Sequence, residues 1–150
     1  MSKEMNILDY NGYGPDFRFK GLPPLTEYID GTNCRLVREV GYTTKAGPII
    51  TVRVPFVFDW ASIPRMFQWL YPPCGIEGNP YGIAALVHDW LYVHRKIEGE
   101  PITRFRADQV FYEVMRYVGC RWTLARLMYR AVRVGGWMPW NNRKPEDIIQ

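Results

Sequence analysis

The sequence predicts an α+β protein: an irregular N-terminal arm and a β-hairpin, then three α-helices, two of which form an antiparallel pair. β-Branched and aromatic residues are concentrated before residue 58, whereas apolar residues recur at helical spacing after residue 79. The chain has 150 residues, 47% of them hydrophobic, which suits one ordinary domain with its own core. We therefore expect a single domain over residues 1–150.

The N-terminal third is expected to be irregular at first and then extended. Residues 1–33 are rich in Gly, Pro, Asp and Asn, which interrupt any regular pattern and leave room for one short strand at most. Residues 34–58 are rich in strand-forming residues on either side of Thr44–Gly47, a segment with turn composition. This pattern predicts a β-hairpin. Residues 59–79 are then expected to form a loop region with one short helical turn at 66–71.

Three helices are expected to form the rest of the fold, over residues 80–135. Asn79 before Pro80 is an N-cap followed by proline at the first helical position, and Gly135–Gly136 ends the last helix. The linker between the first two helices is short, so they should pack as antiparallel neighbours. The polar tail, residues 141–150, is expected to be loose. The expected bounds of the three helices are 80–96, 103–118 and 122–134.

Composition argues against several classes of function. The chain has 19 basic and 15 acidic residues, a net charge of +4, which is too balanced for a dedicated, sequence-specific nucleic-acid binder. Its three cysteines are widely spaced, so we expect a reducing compartment and no disulfide framework. No apolar run approaches the roughly 18 residues of a membrane span. The N-terminus lacks the pattern of a signal peptide. We therefore expect neither a transmembrane segment nor an export signal.

Three polar residues are expected on the buried faces of the first two helices. His88 and Asp89 fall on the side of the first helix that also carries Tyr92, and Asp108 lies above Phe111 on the second. An unpaired buried charge would cost several kcal/mol, so these groups must satisfy one another or hold a cation. Antiparallel packing places the middle of the first helix opposite the early part of the second. We therefore expect His88 and Asp108 to touch.

Two interpretations of this group are open. In the first, one ring nitrogen of His88 bonds Asp108 while the other takes a proton from water, and Asp89 holds a hard cation such as Ca²⁺ with backbone carbonyl oxygens. The cation would polarise an ester carbonyl. In the second, a buried His–Asp pair only locks two helices together. The first predicts a mouth beside His88 lined by exposed apolar residues, and the second predicts that all three residues are sealed from solvent.

The pattern His88-Asp89-x-x-Tyr92, followed later by Asp108 and Phe111, resembles the core helices of the secreted phospholipases of the A-two class. The motif Ala-Asp-Gln-x-Phe around Asp108 resembles the parvoviral version of these enzymes. The resemblance implies a lipid or other ester as substrate, with His88 as general base and Asp89 as Ca²⁺ ligand. It also implies that Tyr92 steadies the dyad and that Asp108 orients the imidazole.

In those phospholipases a glycine-rich loop supplies backbone carbonyl ligands to Ca²⁺. Its one counterpart here is the segment that contains Gly75 and Gly78. The paired cysteines of the secreted enzymes are absent.

A second resemblance covers more of the chain, roughly residues 50–135. The segments 58–65, 82–92 and 106–108 are similar to an uncharacterised family encoded by tailed bacteriophages and prophages. This resemblance implies a viral origin, a location in the host cytoplasm or the virion, and a phage or host protein as partner. Asp59 and Ser62 form an Asp-x-x-Ser turn that can bond nearby backbone N–H groups. The alternative is that Asp59 is a further ligand at the His88 site or that, with Ser62, it supports the residues of that site.

Arginines and a second histidine mark the outer faces of the helices. His94 points about 240° away from His88 on an ideal helix and is expected to be exposed. The arginines of the third helix face either an anionic lipid or nucleic acid or, more simply, solvent. No aromatic residue is expected on that face of the helix, so base stacking is not expected. These arginines are Arg121, Arg126, Arg130 and Arg133.

Two functions are therefore carried forward. The first is a Ca²⁺-assisted ester hydrolase with a phospholipase-like helix pair. The second is a non-catalytic phage accessory or virion protein that keeps the His–Asp pair for structure.

Overall fold

A computed structural model describes residues 18–21, 26–29, 33–59 and 80–142. It confirms the α+β class: two three-stranded antiparallel sheets and one small hairpin are combined with four helices in these residues. None of these helices has the length and apolarity needed to cross a membrane. The strands are β1 Phe19–Lys20, β2 Thr26–Tyr28, β3 Asn33–Leu36, β4 Val40–Thr43, β5 Ile49–Val52, β6 Phe56–Asp59, β7 Lys96–Ile97 and β8 Glu100–Pro101. The helices are α1 Pro80–His94, α2 Arg104–Tyr117, α3 Trp122–Gly135 and α4 Trp137–Asn142.

The hairpin predicted for residues 34–58 is present, but each of its arms is broken in two. The inner strands β4 and β5 pair around the predicted turn, with Val40 opposite Val52, and the outer strands β3 and β6 pair with Leu36 opposite Phe56. The register is therefore continuous across the break, at residues 37–39 and 53–55. Pro55 lies in this break, where it has no N–H group to offer a ladder. The alternating residues of both arms that face the core are buried.

The two halves of the hairpin recruit different strands from the N-terminal arm. The inner half extends by β1 alongside β4, and the outer half extends by β2 alongside β3, which gives two sheets instead of one. The described residues of the arm thus form two short strands, where the sequence predicted at most one. Gly21 has a φ of +81°, and a Cβ there would lie 2.1 Å from the carbonyl oxygen of Glu39. Glycine is therefore required where the arm meets the hairpin.

Helix α1 is buried on nearly all sides instead of along one stripe. Every described side chain from residue 82 to residue 93 is buried except Trp90, which is half-buried and packs edge-on against Phe56 of the sheet, with ring centres 5.1 Å apart. The helix ends at His94, two residues before the predicted boundary, because the chain turns there into the small hairpin of β7 and β8. This hairpin leads directly to α2, which packs on α1.

Helices α2 and α3 follow the predicted pattern. Thr103 is the N-cap of α2, and its hydroxyl accepts a hydrogen bond from the backbone N–H of Arg106 at 3.2 Å. Gly119, with a φ of +90°, lies just beyond the end of the helix. The apolar residues predicted for the inner face of α2 are all buried. They are Ala107, Val110, Phe111, Val114, Met115 and Val118.

The short helix α4 was not predicted. It packs through Trp140, whose ring lies edge-on to Tyr92 with centres 5.2 Å apart and whose carbonyl accepts a hydrogen bond from Arg95. The guanidinium of Arg95 also stacks over the Trp140 ring. The first two residues of the tail that was predicted to be loose, residues 141 and 142, belong to this helix. The rest of the tail lies outside the described residues.

Candidate active site

Three polar side chains meet where the middle of α1 faces the second turn of α2. Nε2 of His88 lies 2.8 Å from Oδ1 of Asp108, and the hydroxyl of Tyr92 donates a hydrogen bond to the same oxygen at 2.6 Å. His88 and Tyr92 are one turn apart on α1, so both reach Asp108 from one face of that helix. The contact predicted between the two helices is therefore present. We refer to His88, Tyr92 and Asp108 as the buried triad.

The buried triad is enclosed by aromatic and apolar side chains. His88 is 2% exposed and Asp108 is fully buried. The imidazole ring packs against Tyr92 and Phe111, with ring centres 4.1 and 4.7 Å away. The open mouth that we expected of a lipid hydrolase is therefore not seen at His88. The enclosure matches what we expected of a site that serves structure.

Two arginines complete the surroundings of Asp108 on the side away from His88. Nη1 of Arg133, on α3, donates to Oδ2 of Asp108 at 2.7 Å, and Nη1 of Arg104 lies 3.5 Å from the same oxygen. The sequence groups Arg133 with arginines that face solvent or an anionic partner, but its guanidinium turns inward and lies 5.2 Å from the centre of the Phe105 ring. Its side chain is still 30% exposed. Arg133 therefore connects the buried carboxylate with the surface.

Sequence reasoning missed both of these arginines. Arg104 and Asp108 are four residues apart on one helix, a spacing that brings opposite charges together and would have identified Arg104. Arg133 comes from a different helix, and nothing in the sequence sets the packing of α3 on α2 closely enough to identify it.

The arginines and the triad hold Asp108 in its ionised form. Burial alone would raise the pKa of this carboxyl group, but hydrogen bonds from His88, Tyr92 and Arg133 outweigh burial and lower the pKa below its ordinary value. Burial and the hydrogen bond to Asp108 raise the pKa of Tyr92 above its ordinary range. Tyr92 therefore keeps its proton and acts as a donor.

An ionised Asp108 fixes the hydrogen atom of the His88 ring. A carboxylate only accepts hydrogen bonds, so Nε2 of a neutral His88 must carry the hydrogen, which leaves the lone pair on Nδ1. The His88 ring makes one hydrogen bond to the described residues, and it makes that bond through Nε2. An imidazole held in this way can accept a proton at Nδ1, and the carboxylate behind it stabilises the resulting positive charge.

Gly136, after the end of α3, packs directly on the triad. A Cβ at this position would lie 2.3 Å from the hydroxyl oxygen of Tyr92 and 2.4 Å from the carbonyl oxygen of Val132. Only a residue without a side chain allows this approach. The sequence predicts Gly136 as part of a helix stop, and the structure gives it this second role.

His94 is separate from the triad. It is half-buried instead of exposed, because its ring stacks on Trp90 with centres 3.5 Å apart and Nδ1 lies 3.0 Å from the carbonyl oxygen of Trp90. Burial lowers the pKa of His94 below its ordinary value, although the hydrogen bond to Trp90 opposes this effect. The helical angle alone predicted an exposed His94. It could not include the sheet, which also packs beside this turn of α1.

Five further residues are predicted for the site from the sequence. Asp89 is buried on α1, and Asp59 is the last residue of β6. Ser62, Gly75 and Gly78 lie outside the described residues. Within residues 18–21, 26–29, 33–59 and 80–142, no group of three or more His, Cys, Asp or Glu side chains could hold a metal ion. Because Gly75 and Gly78 lie outside the described residues, the Ca²⁺ site predicted from them and Asp89 stays a prediction.

Comparison with known proteins gives a family. No curated protein and no solved structure matches the chain. The family model DUF1353, described as a protein of unknown function, matches residues 34–132. This match begins in β3, ends within α3 and includes all three residues of the buried triad. Because it covers more than half of the sequence, the chain belongs to the DUF1353 family.

Proposed function

We propose that the protein is an ester hydrolase in which His88 activates water, and that it acts in a phage setting, as the two resemblances imply. The observation that carries the proposal is the bond of 2.8 Å between Nε2 of His88 and Oδ1 of Asp108. Together with the Tyr92 hydroxyl at 2.6 Å, this bond is the arrangement that the phospholipase resemblance assigns to base, orienter and steadying tyrosine.

In the proposed reaction, Nδ1 of His88 takes a proton from water as the water oxygen attacks the carbonyl carbon of the ester. Asp108 stabilises the imidazolium that forms. The imidazolium then returns the proton to the leaving alcohol oxygen as the carbon–oxygen bond of the ester breaks, which gives the acid and the alcohol. Arg133 and Arg104 keep Asp108 ionised throughout. Lipid esters are the proposed substrate class because they follow from the resemblance.

The burial of the triad favours a second candidate. His88 is 2% exposed and Asp108 is fully buried, which suits a His–Asp pair that holds α1, α2 and α3 together. In this case the protein is a non-catalytic accessory or virion protein, and it acts by binding a phage or host component.

Hydrolysis of a p-nitrophenyl ester and of phospholipid vesicles, with and without added Ca²⁺, separates the two candidates. The wild type is compared with His88→Ala, Asp108→Ala and the matched control His94→Ala, which removes a histidine from the same helix outside the triad. The hydrolase proposal expects about a hundredfold or greater loss of kcat in the first two variants and a small change in the control. Activity that survives both triad substitutions contradicts the proposed dyad.

Thermal unfolding of the same variants is measured in parallel. The structural candidate is supported if the wild type shows no activity in any of these assays and the triad variants unfold well below the wild-type Tm.

A further inference from the structure

A second candidate site lies on the outer side of α2 and α3, away from the buried triad. It is a cleft of about 840 Å³ lined by residues of both helices together with Arg18, which precedes β1, and Lys45, in the turn between β4 and β5. The size is within the range of sites that bind small organic ligands. We call it the basic cleft. Its basic residues are Arg18, Lys45, Arg106, Arg116, Arg126 and Arg130.

The positive charge of the basic cleft is only partly balanced from within, because one of its six basic residues, Arg18, lies 3.4 Å from Oε1 of Glu113. Among the described residues, Glu113 is the single carboxylate in the lining, and its Oε1 already accepts hydrogen bonds from the Tyr42 hydroxyl at 2.8 Å and the Lys45 backbone N–H at 2.5 Å. Within the described residues, Arg106 and Arg130 form no ion pair. Several guanidinium groups on one concave surface attract groups that carry more than one negative charge, and their planar donors match phosphate oxygens.

Aromatic side chains stand between these charges. Tyr112 of α2 and Tyr129 of α3 both line the cleft, half-buried, with ring centres 5.7 Å apart. Tyr129 is next to Arg130 in the sequence and one turn from Arg126. The expectation that the arginine face of the third helix lacks aromatic residues is therefore wrong. Alternation of tyrosine with arginine provides both stacking surfaces and phosphate donors.

We propose that the basic cleft binds nucleotide phosphates, with the attached base against the tyrosines. The shared chemistry is that of phosphates joined to an aromatic base, which a free nucleotide or a short single-stranded segment would supply. The charges lie in a recess and not on a flat face, and its walls carry tyrosines instead of long aliphatic side chains, which favours a nucleotide over a lipid surface. This proposal does not depend on the hydrolase proposal, because the cleft and the triad have no residue in common.

Binding is measured with two fluorescent probes, a labelled adenosine triphosphate and a labelled single-stranded oligothymidine of about ten nucleotides. The proposal expects saturable binding of at least one probe, which weakens as salt is raised because cation contacts with phosphate release counterions. The two arms separate the sources: preference for the triphosphate indicates a free nucleotide, and preference for the strand indicates nucleic acid.

A pair of double variants with equal loss of charge tests the location. Arg106→Gln with Arg130→Gln removes two cations from the cleft, and we expect binding to weaken about tenfold or more. The control, Arg53→Gln with Arg121→Gln, removes two exposed cations that do not line the cleft, and we expect affinity to stay within about twofold of the wild type. Circular dichroism confirms that all variants are folded. Tyr129→Leu should weaken binding of both probes but leave that of inorganic triphosphate unchanged.

Three results overturn the proposal. One is that neither probe binds at low salt. Another is an equal loss of affinity in the two double variants, which would indicate attraction by net charge alone. The third is that vesicles of phosphatidylglycerol bind the protein through Arg106 and Arg130 while neither nucleotide probe does, which would assign the cleft to a membrane.

Discussion

At the scale of single residues, burial and hydrogen bonding act in opposite directions on the charge of Asp108. A fully buried carboxylate would be costly alone, but Oδ1 accepts hydrogen bonds from His88 and Tyr92, and Oδ2 accepts one from Arg133. Every one of these donors favours the ionised form. Asp108 is therefore expected to stabilise the fold only while it is charged.

This expectation gives a prediction for stability against pH. The pKa of Asp108 in the folded protein is below its ordinary value of 3.8, which is the value expected in the unfolded chain. Its contribution is therefore fully present above the unfolded pKa and is lost as the pH falls through the folded pKa. We expect Asp108→Asn to lower the free energy of unfolding by about 3 kcal/mol at neutral pH. We also expect the variant to unfold with a flatter pH dependence than the wild type below about pH 5.

Urea unfolding from about pH 7 down to about pH 3 measures both effects. The control is Glu100→Gln, which removes an exposed carboxylate from β8, and it should follow the wild-type curve at neutral pH. If Asp108→Asn kept the full acid dependence of the wild type, Asp108 would not be the group responsible for it.

At the scale of secondary-structure elements, the end of α3 is fixed from two directions. Nη1 of Arg104, at the start of α2, donates to the carbonyl oxygens of Val132 and Arg133 at 3.3 and 3.0 Å. These are carbonyls of the last turn of α3, where a cation also offsets the helix dipole. The same end packs on the Tyr92 hydroxyl through Gly136.

Two adjacent glycines make this packing testable. Gly136→Ala places a methyl group 2.3 Å from the Tyr92 hydroxyl oxygen, so either Tyr92 or the end of α3 must move. We expect the free energy of unfolding to fall by about 2 kcal/mol. Gly135→Ala is the matched control because a Cβ there meets nothing within 4 Å. It should leave stability unchanged or raise it by up to about 1 kcal/mol. Equal effects of the two substitutions in chemical denaturation would rule out the close contact.

The elements differ in how far the sequence determines them. Helices α2 and α3 could be predicted because their boundaries are set locally, by a Thr103 cap and by glycines. Helix α4 could not, since it has only six residues and is held by the contacts of Trp140 with α1. The break in the hairpin arms was also missed, because the buried residues on its two sides share the same alternation, although Arg38 and Val54 within the break are exposed.

The candidate site divides in the same way. His88, Tyr92 and Asp108 could be found because polar residues on apolar faces must find partners. Arg133 and Gly136 depend on how one helix lies on another, and residue periodicity carries no such information.

At the scale of the whole molecule, Glu113 joins the sheet to the helices. It projects from α2, accepts hydrogen bonds from the Tyr42 hydroxyl and the Lys45 backbone N–H, and lies 3.4 Å from Nη1 of Arg18. Burial and Glu113 together raise the pKa of Tyr42 above its ordinary range, so the Tyr42 hydroxyl remains a donor. The Glu113 carboxylate thus contacts β4, the turn between β4 and β5, and the residue before β1.

Loss of Glu113 should loosen this junction locally. In Glu113→Ala, the backbone N–H of Lys45 loses its acceptor, and we expect its hydrogen exchange to become about tenfold faster. The neighbouring amides of Thr44 and Gly47 bond to carbonyls of their own turn, so their exchange should change little. Exchange measured by NMR at these three amides distinguishes loss of the contact from general unfolding. Uniform acceleration of all three would contradict a local role.

The spacing of these contacts along the chain has a consequence for the order in which the molecule forms. The hydrogen bonds of Asp108 join residues 16 to 25 positions apart. The bonds from the sheet to α2 span 71 residues for Tyr42 with Glu113 and 99 for Arg18 with Tyr117. Closing a longer loop costs more entropy and slows folding. The helices should therefore assemble the buried triad early, and the sheet should dock later onto a site that already exists.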